Sequence, residues 1–188
     1  YHLVHFDGHG VFASSAAGPL MQSRARAERG HLVFEKDDGT EHVVDSHELG
    51  QALAAGHVPL FVLNACQSAE EGKRDAFSSV AAQLVAAGAT AVVAMSYSVW
   101  ASAAALFIER FYEKLVQKES LSHAVAAARR RLHASPHRGS VIGPIELADW
   151  VVPVLYQQQA HYVPFRGKRG QAQAESEVLK LAHERCPK

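Results

Sequence analysis

The chain has 188 residues, 48% apolar and 20% charged, which suits one globular domain with a sizeable core. Lys+Arg and Asp+Glu each number 19, so no global field draws it to nucleic acid or an anionic membrane, and neither is expected as a partner. It has no apolar stretch of bilayer length and no N-terminal signal pattern, and two cysteines make no disulfide framework; a reducing cytoplasm is the expected compartment.

Tyr1-His2-Leu3-Val4-His5-Phe6 reads as a strand already under way, so a piece of a longer protein is expected, with strands upstream. Asp7-Gly8-His9-Gly10 sets two glycines around a histidine and reads as a tight turn at the strand end. A small, polar surface loop is expected over 13–30. Leu32–Glu35 and His42–Val44 flank Asp37-Asp38-Gly39 as a short hairpin. Asp45 with Glu48 resembles a capping box, opening a helix with Leu49 and Leu53 on one face.

Pro59–Leu63 is a short continuous apolar run, the pattern of a strand buried on both faces. It stops at Asn64-Ala65-Cys66-Gln67-Ser68, before a polar loop at Glu70–Asp75. Phe77, Val80 and Leu84 run at helical spacing to Gly88, and Ala91–Met95 is a second buried strand. Helical periods return at Phe107, Phe111, Leu115 and at Leu121, Val125, Ala128, Leu132, with Arg129–Arg131 as a solvated face. Trp150–Tyr156 reads as a last strand, and the charged residues 166–188 as a tail with a short helix at Glu175–His183. Alternating helices and apolar strands predict an α/β domain over 1–165 with a mostly parallel central sheet.

In such sheets chemistry gathers at the carboxyl ends of the strands. His9 and Cys66 both fall at ends of that kind. A thiolate is a good nucleophile for a carbonyl carbon, and an imidazole titrating near neutrality suits protonation of a leaving amine. The flexible backbone beside His9 makes the Gly10 N–H a candidate donor to an oxyanion, with that of Cys66 opposite it. Asn64, two residues before Cys66, falls on the same side of its strand. The bland readings are a small core cysteine and an incidental loop histidine.

Other motifs fail. His2, His5 and His9 do not converge as ligands, so no metal is expected. A cysteine phosphatase loop needs Arg six residues past the cysteine, where Gly72 stands. Gly8-His9-Gly10 lacks the third glycine and the helix of a dinucleotide loop, and no cofactor is expected.

His5-Phe6-Asp7-Gly8-His9-Gly10, Leu63-Asn64-Ala65-Cys66-Gln67-Ser68, Gly88–Met95, Phe107–Leu115, Ala124–Arg129 and Trp150–Tyr156 together resemble the CHAT domain family, over residue 1 to about 157. CHAT domains are bacterial caspase- and separase-like peptidases, often fused to sensor or repeat modules. The resemblance implies a caspase-like α/β/α sandwich, a His9–Cys66 dyad and Gly10 at the oxyanion. It also implies Asn64 in the primary specificity pocket and Ser96–Trp100 gripping the substrate backbone. A protein substrate and a regulatory or sensor module are the implied partners, in a bacterial defence or cell-death setting. The alternatives are a silent CHAT module that binds partners and a thiol-transfer or redox-sensing protein.

Many relatives carry acidic residues just after the Ala91–Met95 strand, where this chain has Ser96, Ser98, Ala101 and Ser102. The expectation is a preference for an uncharged or small polar residue before the cut. Asp7 is the one carboxylate that could reach the pocket from the histidine motif. The isolated domain is expected to be poorly active, with Lys73-Arg74 in a loop suited to nicking.

Overall fold

The computed structural model describes residues 1–13, 29–67 and 76–165, and the side chains of 1–10, 31–65 and 80–165. Most of the loop expected over 13–30, the loop expected at 70–75, the Lys73-Arg74 site, the 166–188 tail and Cys186 lie outside the described residues; the first loop's ends are strand instead, Ala13 closing one strand and Arg29-Gly30 opening the next.

The strands are β1 (Leu3–Ala13), β2 (Arg29–Glu35), β3 (Glu41–Asp45), β4 (Leu60–Gln67), β5 (Ala91–Met95), β6 (His137–Ser140), β7 (Gly143–Glu146) and β8 (Pro153–Gln157). The helices are α1 (Ser46–Ala55), α2 (Ala76–Ala86), α3 (Ala101–Val116) and α4 (Leu121–His133). Six strands form one sheet in the order β3-β2-β1-β4-β5-β8. Its centre is parallel, β1 with β4 and β4 with β5, and its flanks are antiparallel, so the sheet is mixed.

Alternation along the central strands divides the core. Phe61, Leu63, Ala65, Val92 and Ala94 pack with Leu49 and Leu53 of α1 and with Val80 and Leu84 of α2. Leu60, Val62, Ala91, Val93 and Met95 pack with Phe107, Phe111 and Leu115 of α3 and with Leu121, Val125 and Leu132 of α4. Two-sided burial explains why β4 and β5 read as continuous apolar runs.

Local chemistry sets the element ends. The Asp45 carboxylate accepts from the amides of His47 and Glu48, both at 2.8 Å, and starts α1. Ser120 caps α4 by accepting from His123 N–H. Gly39, at φ 79°, closes the β2–β3 turn, where the Asp38 side chain holds Thr40.

Other expectations change as well. Asp7–Gly10 is not a turn, because β1 runs on to Ala13 as it exchanges partners. Its parallel pairing with β4 ends at Gly10↔Gln67, and its antiparallel pairing with β2 has begun at His9↔Val33. Gly8 lies within the strand, under the Phe6 ring, where a Cβ would stand 2.9 Å from Phe6 Cζ and push that ring aside.

The last strand begins at Pro153, because Asp149–Val151 forms a 3-10 turn. The short β6–β7 hairpin was not foreseen. Its base is held by Arg138, whose Nε and Nη2 donate to the two Asp149 oxygens at 2.8 and 2.9 Å. Arg138 Nη1 also donates to the carbonyls of Ser135 and His137. Nor is the Arg129–Arg131 run wholly solvated: Arg129 donates to Trp150 O at 2.9 Å and lies over the indole.

Candidate active site

Register brings the two sequence motifs together. Parallel pairing of β1 with β4 sets Asp7 opposite Asn64 and His9 opposite Cys66, on backbones about 4.8 Å apart. Cys66 and Gly10 fall at the last two steps of that ladder. Although β1 itself continues, the parallel pair ends here, and His9 is exposed there. Position 66 has the parity of 60, 62 and 64 on β4, and position 9 that of 3, 5 and 7 on β1.

Beside this ladder end is a cavity of about 300 Å³. One wall is polar and comes from the strands: His5, Asp7 and Asn64, with Gly8. The other is apolar: Val99, then Ala101, Ala104, Ala105 and Ile108 on the first turns of α3. Spacings of three, one and three put those four on one helix face, and the three alanines leave the cavity its width.

The polar wall is ordered by hydrogen bonds. Asn64 Nδ2 donates to Asp7 Oδ1 at 3.1 Å. A carboxylate only accepts, so the amide's NH2 end faces Asp7 and its carbonyl oxygen remains an acceptor. His5 Nδ1 lies 3.0 Å from the Tyr112 hydroxyl, and the two rings are 5.7 Å apart. Partial burial pulls the His5 imidazole below its usual 6.5, and the Asp7 carboxylate draws it part of the way back. Burial also pushes the Tyr112 hydroxyl up to about 12, so it remains a phenol through the physiological range.

Ser96 and Ser98, expected against the substrate, do not border this cavity. Ser96 Oγ donates to the Val152 carbonyl at 2.8 Å, and its amide binds the same oxygen, tying the β5 end to β8. Ser98 is exposed, and neither serine lines the cavity. Gly10 is buried in the ladder between Leu32 and Gln67. Sequence reasoning missed His5, Tyr112 and the α3 wall. The signals were the parity of His5 with Asp7 and the helical spacing of the alanines.

A larger groove of about 530 Å³ lies between α3 and α4, bordered by Glu109, Arg110, Glu113, Arg130 and Arg131 and by no residue of β1 or β4. Among the described residues no cluster of three His, Cys, Asp or Glu side chains could hold a metal. No described helix is long and apolar enough to cross a membrane.

The model of the CHAT domain matches residues 1–167 of the 188. The chain belongs to the CHAT domain family. CHAT domains are related to caspase-like peptidases. No curated protein matches this chain. The match spans both motifs of the candidate site, and this CHAT domain has histidine and cysteine at paired positions on neighbouring parallel strands.

Proposed function

We propose that this CHAT domain is a cysteine endopeptidase of the caspase-like type. Cys66 is the nucleophile and His9 the acid–base partner. The observation that carries this is the His9↔Cys66 register at the end of the parallel ladder. A sheet with α1 and α2 on one face and α3 and α4 on the other supports a caspase-like α/β/α sandwich.

In this reading the Cys66 thiolate adds to the carbonyl carbon of the peptide bond, forming a C–S bond and an oxyanion next to Gly10. His9 gives a proton to the leaving nitrogen as the C–N bond breaks, which leaves a thioester. It then takes a proton from water, whose oxygen attacks the thioester and returns the thiol. The cavity beside Asn64 and Asp7 receives the side chain before the cut. Exposed Tyr97 and Ser98 lie on the segment assigned to the substrate backbone. The substrate is a protein, and the domain serves as a regulated module in a bacterial defence or cell-death protein.

A peptidyl acyloxymethyl ketone followed by intact-mass and peptide mapping tests the reading. Cys66 should be modified and Cys186 spared, and His9→Ala should slow modification by about a hundredfold. Modification of both cysteines at one common rate, indifferent to His9, would overturn it.

A further inference from the structure

The expectation of an uncharged residue before the cut assumed that the loop after β5 supplies the pocket's polar groups. Among the described residues they come from β1 and β4 instead. Asp7 is the carboxylate on that wall, Asn64 fixes one of its oxygens, and the opposite wall is alanine, valine and isoleucine. A carboxylate facing an apolar helix wall across a cavity suits a long aliphatic stem with a cationic head. The Asn64 carbonyl oxygen gives a second acceptor for the fork of a guanidinium.

His5 lines the same cavity and is bound from behind by Tyr112. A phenol both donates and accepts, so it can bond Nδ1 whether the imidazole is neutral or protonated. We infer that this cavity is a cation-binding pocket for an Arg or Lys side chain, and that His5 is the specificity-determining residue that makes its selectivity depend on pH. The inference rests on the peptidase reading for its substrate, though not for its binding chemistry.

The charges follow from the geometry. With His5 neutral, Asp7 is the one charged group among the described lining residues, and the pocket attracts a cation. With His5 protonated, an imidazolium stands in the same wall as the carboxylate, and the two cancel for an incoming cation. Burial lowers the His5 pKa, so the neutral form prevails near pH 7 and the exchange falls in the acid range. Among the described residues, the titratable groups facing His5 are Asp7 on β1 and Tyr112 on α3, and Tyr112 does not ionise there. His9 lies four positions further along β1 and is exposed. Binding must therefore be read apart from catalysis.

The test uses the full 188-residue chain carrying Cys66→Ala. Its probes are n-butylguanidinium and the uncharged butylurea of nearly the same shape, with histidine ring resonances followed by NMR. The His5 signal is assigned by its loss in His5→Gln. Butylguanidinium should bind at least about tenfold tighter than butylurea at pH 8, and Asp7→Asn should remove that difference. Affinity should fall about fivefold or more from pH 8 to pH 5. Linkage requires the reciprocal effect, a lower His5 titration midpoint when the pocket is saturated, which is read without changing any residue of the pocket once the signal is assigned.

Equal affinity for the two probes, or a His5 midpoint unmoved by saturation, would overturn the inference. Binding as described in a protein that cleaves no peptide would leave the pocket standing and remove the peptidase reading. Cleavage without any charge preference in the probes would do the reverse.

Discussion

Two carboxylates, Asp149 and Asp7, each face a polar partner at the edge of the fold, and they live in opposite conditions. Asp149 is 7% exposed and Arg138 is 2% exposed. Both Asp149 oxygens are held by the guanidinium, whose remaining contacts go to two backbone carbonyls. Asp7 is exposed, is held at Oδ1 by a neutral amide, and opens on a cavity. The first arrangement is closed and secures the β6–β7 hairpin to the 3-10 turn. The second has acceptor capacity turned toward space. A buried, paired charge serves the fold, and an exposed one beside a cavity is where recognition can occur.

Breaking the closed pair should give the largest effect on stability. Arg138→Ala leaves Asp149 buried without its partner and should cost about 3–5 kcal/mol, a fall in Tm of about 6–20 °C by calorimetry. Asp7→Asn should stay within about 0.5 kcal/mol of the parent, since the site is exposed. A loss at Asp7 equal to that at Arg138 would erase the contrast.

A third carboxylate, Asp45, sharpens the comparison. It is half-buried and satisfies two helix amides, so Asp45→Ala should cost about 1 kcal/mol in urea unfolding, between the other two. A cost as large as that of Arg138→Ala would mean that α1 depends on more than its cap.

The smallest effect is the pH dependence of the pocket. His5 has a folded pKa below 6.5, so the unfolded chain binds more protons there than the folded one. Stability should therefore rise with pH between the depressed value and 6.5, and be lost as pH falls through that window. Urea unfolding from pH 7 to 5 should show a shallower slope in His5→Gln than in the parent. Tyr112 acts at the other end: its hydroxyl is raised from 10.0 to about 12, so stability should decline as pH climbs from 10 toward 12.

The central strands were legible because two-sided burial leaves an unbroken apolar run, as in Leu60–Leu63 and Ala91–Met95. The α1 cap and the β2–β3 turn were legible because Asp45 and Gly39 act on atoms a few residues away. The Asp7–Gly10 segment misled for a physical reason: pairing with β4 and β2 carries the strand straight through its two glycines, which local sequence reads as a reversal. The β6–β7 hairpin was missed because its strands have four residues each and its anchor, Arg138 to Asp149, spans eleven positions. At the site, sequence supplied His9, Cys66, Asn64 and Asp7. Tyr112 stands 107 positions from His5, so only the packing of α3 on the sheet could bring it into view.

The most direct test of the account is cleavage of a tetrapeptide library varied at the residue before the cut. It would use the full chain beside Cys66→Ala and His9→Ala, with nicked or partner-activated samples included. The account predicts cleavage by the parent, favouring Arg or Lys by about tenfold or more at pH 8, and none detectable above background in Cys66→Ala. Cleavage at the parental rate in Cys66→Ala, with the variant pure and folded, would contradict it.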